Sequence, residues 1–138
     1  MIIYTDDLTK VTADALAGFF KGWPNPPTPE THLDILRNSD EIVLAIDDES
    51  GRAVGYITAI TDRVLSAYIP LLEVLPEHRR RGIGHELVRK MLAKLNGLYM
   101  IDTCCDPEMV PFYKSFGMEP ANAMTIRNHQ RQSGAERG

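Results

Sequence analysis

The sequence predicts one α/β (α+β) domain, its elements running β-α-α-β-β-β-α-β-α-β with room for a short extra strand near Met118. Three observations predict it. Apolar runs of strand length, such as EIVLAID at Glu41 to Asp47, are bounded by turn residues. Between Gly82 and Leu95 the residues Ile83, Leu87, Val88, Met91, Leu92 and Leu95 recur at helical steps and form one apolar stripe. The length of 138 residues suits one domain with a full core.

Taken in order, Ile2 to Tyr4 is a short opening strand. Thr9 to Phe20 reads as a helix with Leu16, Phe19 and Phe20 on its apolar side. The stretch Gly22 to Pro29 holds four prolines and cannot be regular structure. Thr28 is placed to cap a second helix with Pro29 at its first position, ending about Asn38. Glu41 to Asp47 and Ala53 to Ile60 make a hairpin around Asp48-Glu49-Ser50-Gly51. Ala67 to Leu75 is mostly apolar, which implies burial on both faces. After the helix from Gly82, Asn96-Gly97 stops the chain and Leu98 to Cys105 is another buried strand. Pro107 to Ser115 is a short helix and Ala123 to Arg127 a last strand. Residues 1–128 make the domain, and 129–138 a polar, mobile tail.

Composition excludes several classes. The net charge of -4 gives no dominant nucleic-acid surface, and Arg79-Arg80-Arg81 has no interleaved aromatic platform. No apolar run reaches the length of a membrane span, and the opening MIIYTDDLTK lacks the features of a signal peptide. The adjacent Cys104 and Cys105 cannot bridge each other and have no metal spacing, so no metal is expected, core packing is their expected role, and a reduced cytoplasmic setting is the default.

The chemistry concentrates in LLEVLPEHRRRGIGHELV, Leu71 to Val88. A strand ends at Pro76, a basic glycine-containing turn follows, and a helix starts at once. Amides at a helix N-terminus have no intrahelical partner and favour anions, glycines let a phosphate approach, and arginines add charge-assisted contacts. This is a diphosphate cradle. It lacks the G-x-x-x-x-G-K-[ST] of a P-loop and the third glycine of the dinucleotide fingerprint.

The pattern R-x-x-G-x-G at Arg79, Gly82 and Gly84, preceded by V-x-P at Val74 to Pro76, resembles the coenzyme A signature of the GNAT N-acetyltransferase superfamily. Downstream, Asp106 to Met118 resembles the family's second motif, with Asp106 in place of an Asn and Met118 in place of a Phe. The resemblance implies a central mixed, mostly antiparallel sheet whose strands at Ala67 to Leu75 and Leu98 to Cys105 splay apart, flanked by helices. It implies acetyl-CoA as co-substrate and direct acetyl transfer to an amine, by a monomer or homodimer. Pantetheine would pair with backbone around Leu72 to Val74. The diphosphate would sit on the amides of Arg79, Arg80, Arg81, Gly82, Ile83 and Gly84. His85 would touch a phosphate or stand exposed in the first turn, and Asp106 and Phe112 would border the same site.

Tyr113 matches the family's tyrosine that protonates the departing thiolate. An acceptor amine with a lysine-like pKa is neutral in only about one molecule in a thousand at pH 7, so a base or water relay is needed. Glu73 and Asp102 lie inside apolar strands, where a charge is costly unless paired or placed at a site. Glu73 is the candidate base or a contact for a cationic acceptor, with Asp102 helping; a buried ion pair with Arg63 is the structural alternative. Trp23, in the proline-rich loop, is a candidate wall of the acceptor pocket or a cap on the core. A non-catalytic acyl-CoA-binding domain on the same fold is the competing functional reading.

Overall fold

In a computed structural model that describes residues 1–135, five strands form one sheet in the order β1-β2-β3-β4-β5. They are β1 (Ile2–Thr5), β2 (Glu41–Asp47), β3 (Ala53–Thr61), β4 (Ser66–Val74) and β5 (Met100–Thr103). All neighbours are antiparallel except β4 and β5, which are parallel because α2 (Ile83–Lys94) crosses between them. This is the mixed, mostly antiparallel sheet that the resemblance implies.

The two central strands are buried almost end to end, because both sheet faces are covered. On one face α2 packs Leu87, Val88 and Met91 against Val43, Val54 and Ile57. Gly55 allows that close approach: a Cβ there would meet Leu87 Cδ1 at 3.1 Å and Ile83 Cγ2 at 3.3 Å. On the other face α1 (Pro29–Asn38) and the turn before it bury Leu16, Leu33 and Leu36 on Leu44 and Tyr56. The start of α1 is as read: the Thr28 hydroxyl accepts from the Thr31 amide at 3.1 Å, with Pro29 in the first turn. The β2–β3 turn is held by Asp47, whose carboxylate accepts from Glu49 N and Ser50 Oγ, each at 3.1 Å.

Four expectations need correction. The helix expected over Thr9 to Phe20 is a single 3-10 turn, Ala13–Leu16. Its last carbonyls are satisfied by tertiary partners instead: Arg52 Nη2 donates to Ala17 O at 2.8 Å, and Gly18 and Phe20 take positive φ values of 96° and 63° that drop Phe19 and Phe20 into the core. The strand expected over Leu98 to Cys105 is four residues long and half exposed, because it lies at the sheet edge rather than inside it. Likewise β4 is only partly buried over its second half, where it has lost β5 as a neighbour. The last strand expected at Ala123 to Arg127, and the short one near Met118, do not form; residues 118–127 carry no regular structure. Of the tail, residues 136–138 lie outside the described residues, while His129–Arg131 form a 3-10 turn and Gln132 Oε1 accepts from Asn25 N at 2.7 Å.

Candidate active site

Strands β4 and β5 part company at their C-terminal ends. They pair only from Ser66 to Ile69 with Met100 to Thr103, and from Pro70 onward β4 has no strand partner on that side among the described residues. Just before the parting, the β3–β4 register slips between Thr58 and Ile60, so the sheet gains a local bend there. The opening continues into a cleft of about 970 Å3 that passes between the two sheet faces.

One end of the cleft is the turn between β4 and α2. Leu72, Val74, Arg79, Arg80, Gly82, Ile83, Gly84 and His85 all line it, and Arg81 does not. Leu75 N donates to Val54 O on β3 at 2.8 Å. Amides alternate along a strand, so the Val74 and Leu72 amides face the opening. Arg79 is occupied within the turn: its Nε donates to Val74 O at 3.0 Å. Arg80 and Gly82 adopt left-handed backbone, with φ of 65° and 79°, which curls the turn back onto the helix start. Gly82 is the N-cap and supplies no side chain to the first amides of α2. Those amides therefore remain available to an anion in the field of the helix dipole. A Cβ at Gly84 would point toward Val74 Cγ2 and Phe112 Cζ, at 3.7 and 3.8 Å, so its absence widens the passage. A diphosphate carrier fits this donor set.

The middle of the cleft holds Tyr113, on the short helix α3 (Val110–Lys114), with Phe112, Asp106 and Thr103 beside it. Tyr113 is buried at 8% exposure. Burial raises its phenol above the ordinary value, and the nearby Cys105 adds to this, while Thr103 opposes it. The Thr103 hydroxyl is itself fixed by donating to Ile69 O at 2.8 Å. Tyr113 thus holds its proton at neutral pH. Cys104 and Cys105, expected in the core, are both exposed and line the cleft, because the edge strand ends before them.

The other end lies across the sheet. Glu73 is not paired with Arg63, which instead bonds Glu41 Oε2 at 2.6 Å. Glu73 accepts from the backbone: Phe20 N reaches Oε1 at 2.7 Å and Lys21 N reaches Oε2 at 3.2 Å. Trp23 packs on Phe20 at a tilt of 59°, ring centroids 4.9 Å apart, and lines the cleft at 39% exposure. Beneath them Phe20, Tyr56 and His32 pack ring against ring. Asp102 is not brought to this site; it is exposed on β5 beside Tyr68 and does not line the cleft.

Comparison with known proteins agrees with this fold. The model of the Acetyltransferase (GNAT) family matches residues 8–118. The chain belongs to the GNAT acetyltransferase family. A candidate acetyltransferase of Deinococcus radiodurans, solved by crystallography, shares 45% identity, with a TM-score of 0.95 over 98% of this chain and 94% of that one. A GNAT-family acetyltransferase from Streptococcus pneumoniae is 26% identical with a TM-score of 0.72, covering 93% and 97% of the two chains. The glucosamine-6-phosphate N-acetyltransferase of Arabidopsis thaliana, 17% identical over 73% of this chain and 76% of that one, shares the fold at a TM-score of 0.61. No curated protein matches the sequence.

Reading the sequence missed Phe20, Lys21, Tyr56, Thr103 and Arg127 as cleft residues. Phe20 and Lys21 enter through a long-range contact with Glu73, for which no local pattern exists. Thr103 had a signal, since it sits in the strand that precedes the second motif.

Proposed function

We propose that this GNAT acetyltransferase moves an acetyl group from acetyl-CoA directly to the primary amine of a small, cationic molecule. The observation that carries the reading is Tyr113, buried and protonated in the opening between β4 and β5, between a diphosphate cradle and a second, carboxylate-bearing end.

The cradle of Arg80, Gly82, Ile83, Gly84 and His85 would hold the diphosphate, with Arg81 adding long-range positive charge and Arg79 setting the turn's shape through Val74 O. Leu72 and Val74 would pair with the amide-bearing arm, and Asp106 and Phe112 would border it. Acetyl-CoA supplies an activated acyl group as a thioester. The Val74 amide faces the place where negative charge develops on the acyl oxygen. Tyr113 gives its proton to the departing sulfur.

Glu73 orients and relieves the amine of its proton. A carboxylate has about four lone-pair sites, and the Phe20 and Lys21 amides occupy two of them. The remaining two meet a protonated amine or a water that carries its proton. Trp23 and Phe20 form the apolar wall of that end.

The test is turnover with acetyl-CoA and a panel of amines, following thiol release and the mass of the product. An amine that gains one acetyl group, with the rate lost in Tyr113→Phe while acetyl-CoA still binds, supports the reading. Tight acetyl-CoA binding without transfer to any amine would favour a non-catalytic acyl-CoA-binding domain.

A further inference from the structure

The chain has two cysteines, and the fold brings both into one cleft. Cys104 and Cys105 follow the end of β5, at the opening where β4 loses its partner strand, and both are free and exposed. Each has a different neighbour. Cys104 sits against the Tyr68 hydroxyl and raises that phenol above its ordinary value. Cys105 sits toward Tyr113, whose phenol is raised by burial first and by Cys105 second.

The place matters because the ligand proposed for this cleft is itself a thiol carrier. With its diphosphate on the turn from Arg80 to Gly84 and its amide-bearing arm along Leu72 and Val74, its sulfur arrives at the opening beside Tyr113. Cys105 borders the same space. A buried cysteine is inert, but one that solvent and ligand both reach is open to exchange. Binding then holds the two sulfurs together at a high effective concentration.

We propose that Cys105 is a site of mixed-disulfide formation with coenzyme A, and that the adduct blocks the cleft to acetyl-CoA. The co-reactant is the symmetrical disulfide of coenzyme A, bound through one of its two halves. Cys105 loses its proton to solvent, and its sulfur attacks the sulfur of the bound half. One S–S bond breaks and one forms. Cys105 is oxidised into the mixed disulfide, and the far half leaves as the reduced thiol, taking up a proton. Cys104 does not resolve the adduct, because adjacent cysteines lack the spacing of an ordinary bridge. The block therefore lasts until an external thiol reduces it. The tethered half occupies the cradle that acetyl-CoA needs.

The experiment incubates the full chain with coenzyme A disulfide, or with oxidised glutathione, and follows intact mass and peptide maps. Oxidised glutathione offers the same bond without a diphosphate. The expected result is one coenzyme A moiety on Cys105, formed about tenfold faster than the glutathione adduct. Excess acetyl-CoA should suppress it, dithiothreitol should remove it, and Gly82→Glu should slow it to the glutathione rate. Cys105→Ser should abolish it, and Cys104→Ser should leave it. An adduct confined to Cys104, equal rates for the two disulfides, or no protection by acetyl-CoA overturns the proposal. The wild-type rates and the protection decide the matter if a variant fails to fold. The proposal rests on the reading of the cleft as a coenzyme A site. Acetyl-CoA that binds in titration while no adduct forms overturns the disulfide alone, whereas absence of binding removes both.

Discussion

The two ends of the cleft are built in opposite ways. The cradle end comes from contiguous chain: β4, its turn and the first residues of α2, all within Leu72 to His85. The other end, the proposed acceptor end, joins Glu73 to Phe20 and Lys21, more than fifty positions away, with Arg127 reaching the cleft from beyond α3. The cradle offers groups every helix start possesses, so its requirements are local and can be written as a short motif. The other end is built from side chains that only the fold assembles.

Breaking the cradle should have the largest effect. Gly82→Glu forces a side chain onto a backbone at φ 79° and puts a negative charge on the anion site. Acetyl-CoA binding, measured by titration calorimetry, should disappear at concentrations that saturate wild type, with the melting temperature little changed. Retained binding would remove the turn from the cofactor site.

Between the two ends, Tyr113→Phe should lower kcat about a hundredfold, in the usual range for loss of a positioned acid. The KM for acetyl-CoA should hardly move. An unchanged kcat would take Tyr113 out of the chemistry and leave it a packing residue.

The acceptor end should also respond to acid in a way the cradle does not. His32 is 1% exposed, neither ring nitrogen has a hydrogen-bond partner among the described residues, and burial lowers its pKa from 6.5 to about 4. The folded pKa lies below the unfolded one, so unfolding takes up a proton between pH 6.5 and about 4. Stability is full above 6.5 and falls as the pH drops through that window, by up to about 3 kcal/mol. His32→Leu should flatten this slope in urea titrations run across the window; an unchanged slope would mean that another group carries it.

The smallest effect sharpens the comparison most. Glu73→Gln keeps one amide acceptor but turns the other oxygen into a donor facing Lys21 N. The loss in stability should be about 1–2 kcal/mol. The acceptor KM should rise and the acid limb of the pH–rate profile should shift, with acetyl-CoA affinity unaltered. Equal weakening of both substrates would place Glu73 in general folding rather than at the acceptor end.

Residue order was informative wherever a contact is short-range. The Thr28 cap, the β2–β3 hairpin, the stripe of α2 and the turn from Arg79 to Gly84 all formed where the pattern put them. The cap and the turns rest on hydrogen bonds among residues a few positions apart, and the α2 stripe is written along the chain at helical steps even though it packs on distant strands. The failures share a cause as well. Residues 9–20 have a helix's apolar spacing, but Arg52 and Glu73 bind their backbone in another shape. Residues 123–127 have a strand's composition, but a strand exists only where a neighbour pairs with it.

By itself, then, the sequence determined the order of the five strands with α1 and α2, and the glycine-containing turn that opens α2, because periodicity, capping and glycine placement act along the chain. Only the tertiary structure decided that Glu73 grips the backbone of Phe20 and Lys21, that Asp102 stands outside the cleft, and that Cys104 and Cys105 line it. Those outcomes depend on which strand is an edge and which distant backbone groups need a partner, and both are settled when the sheet closes around its two cores.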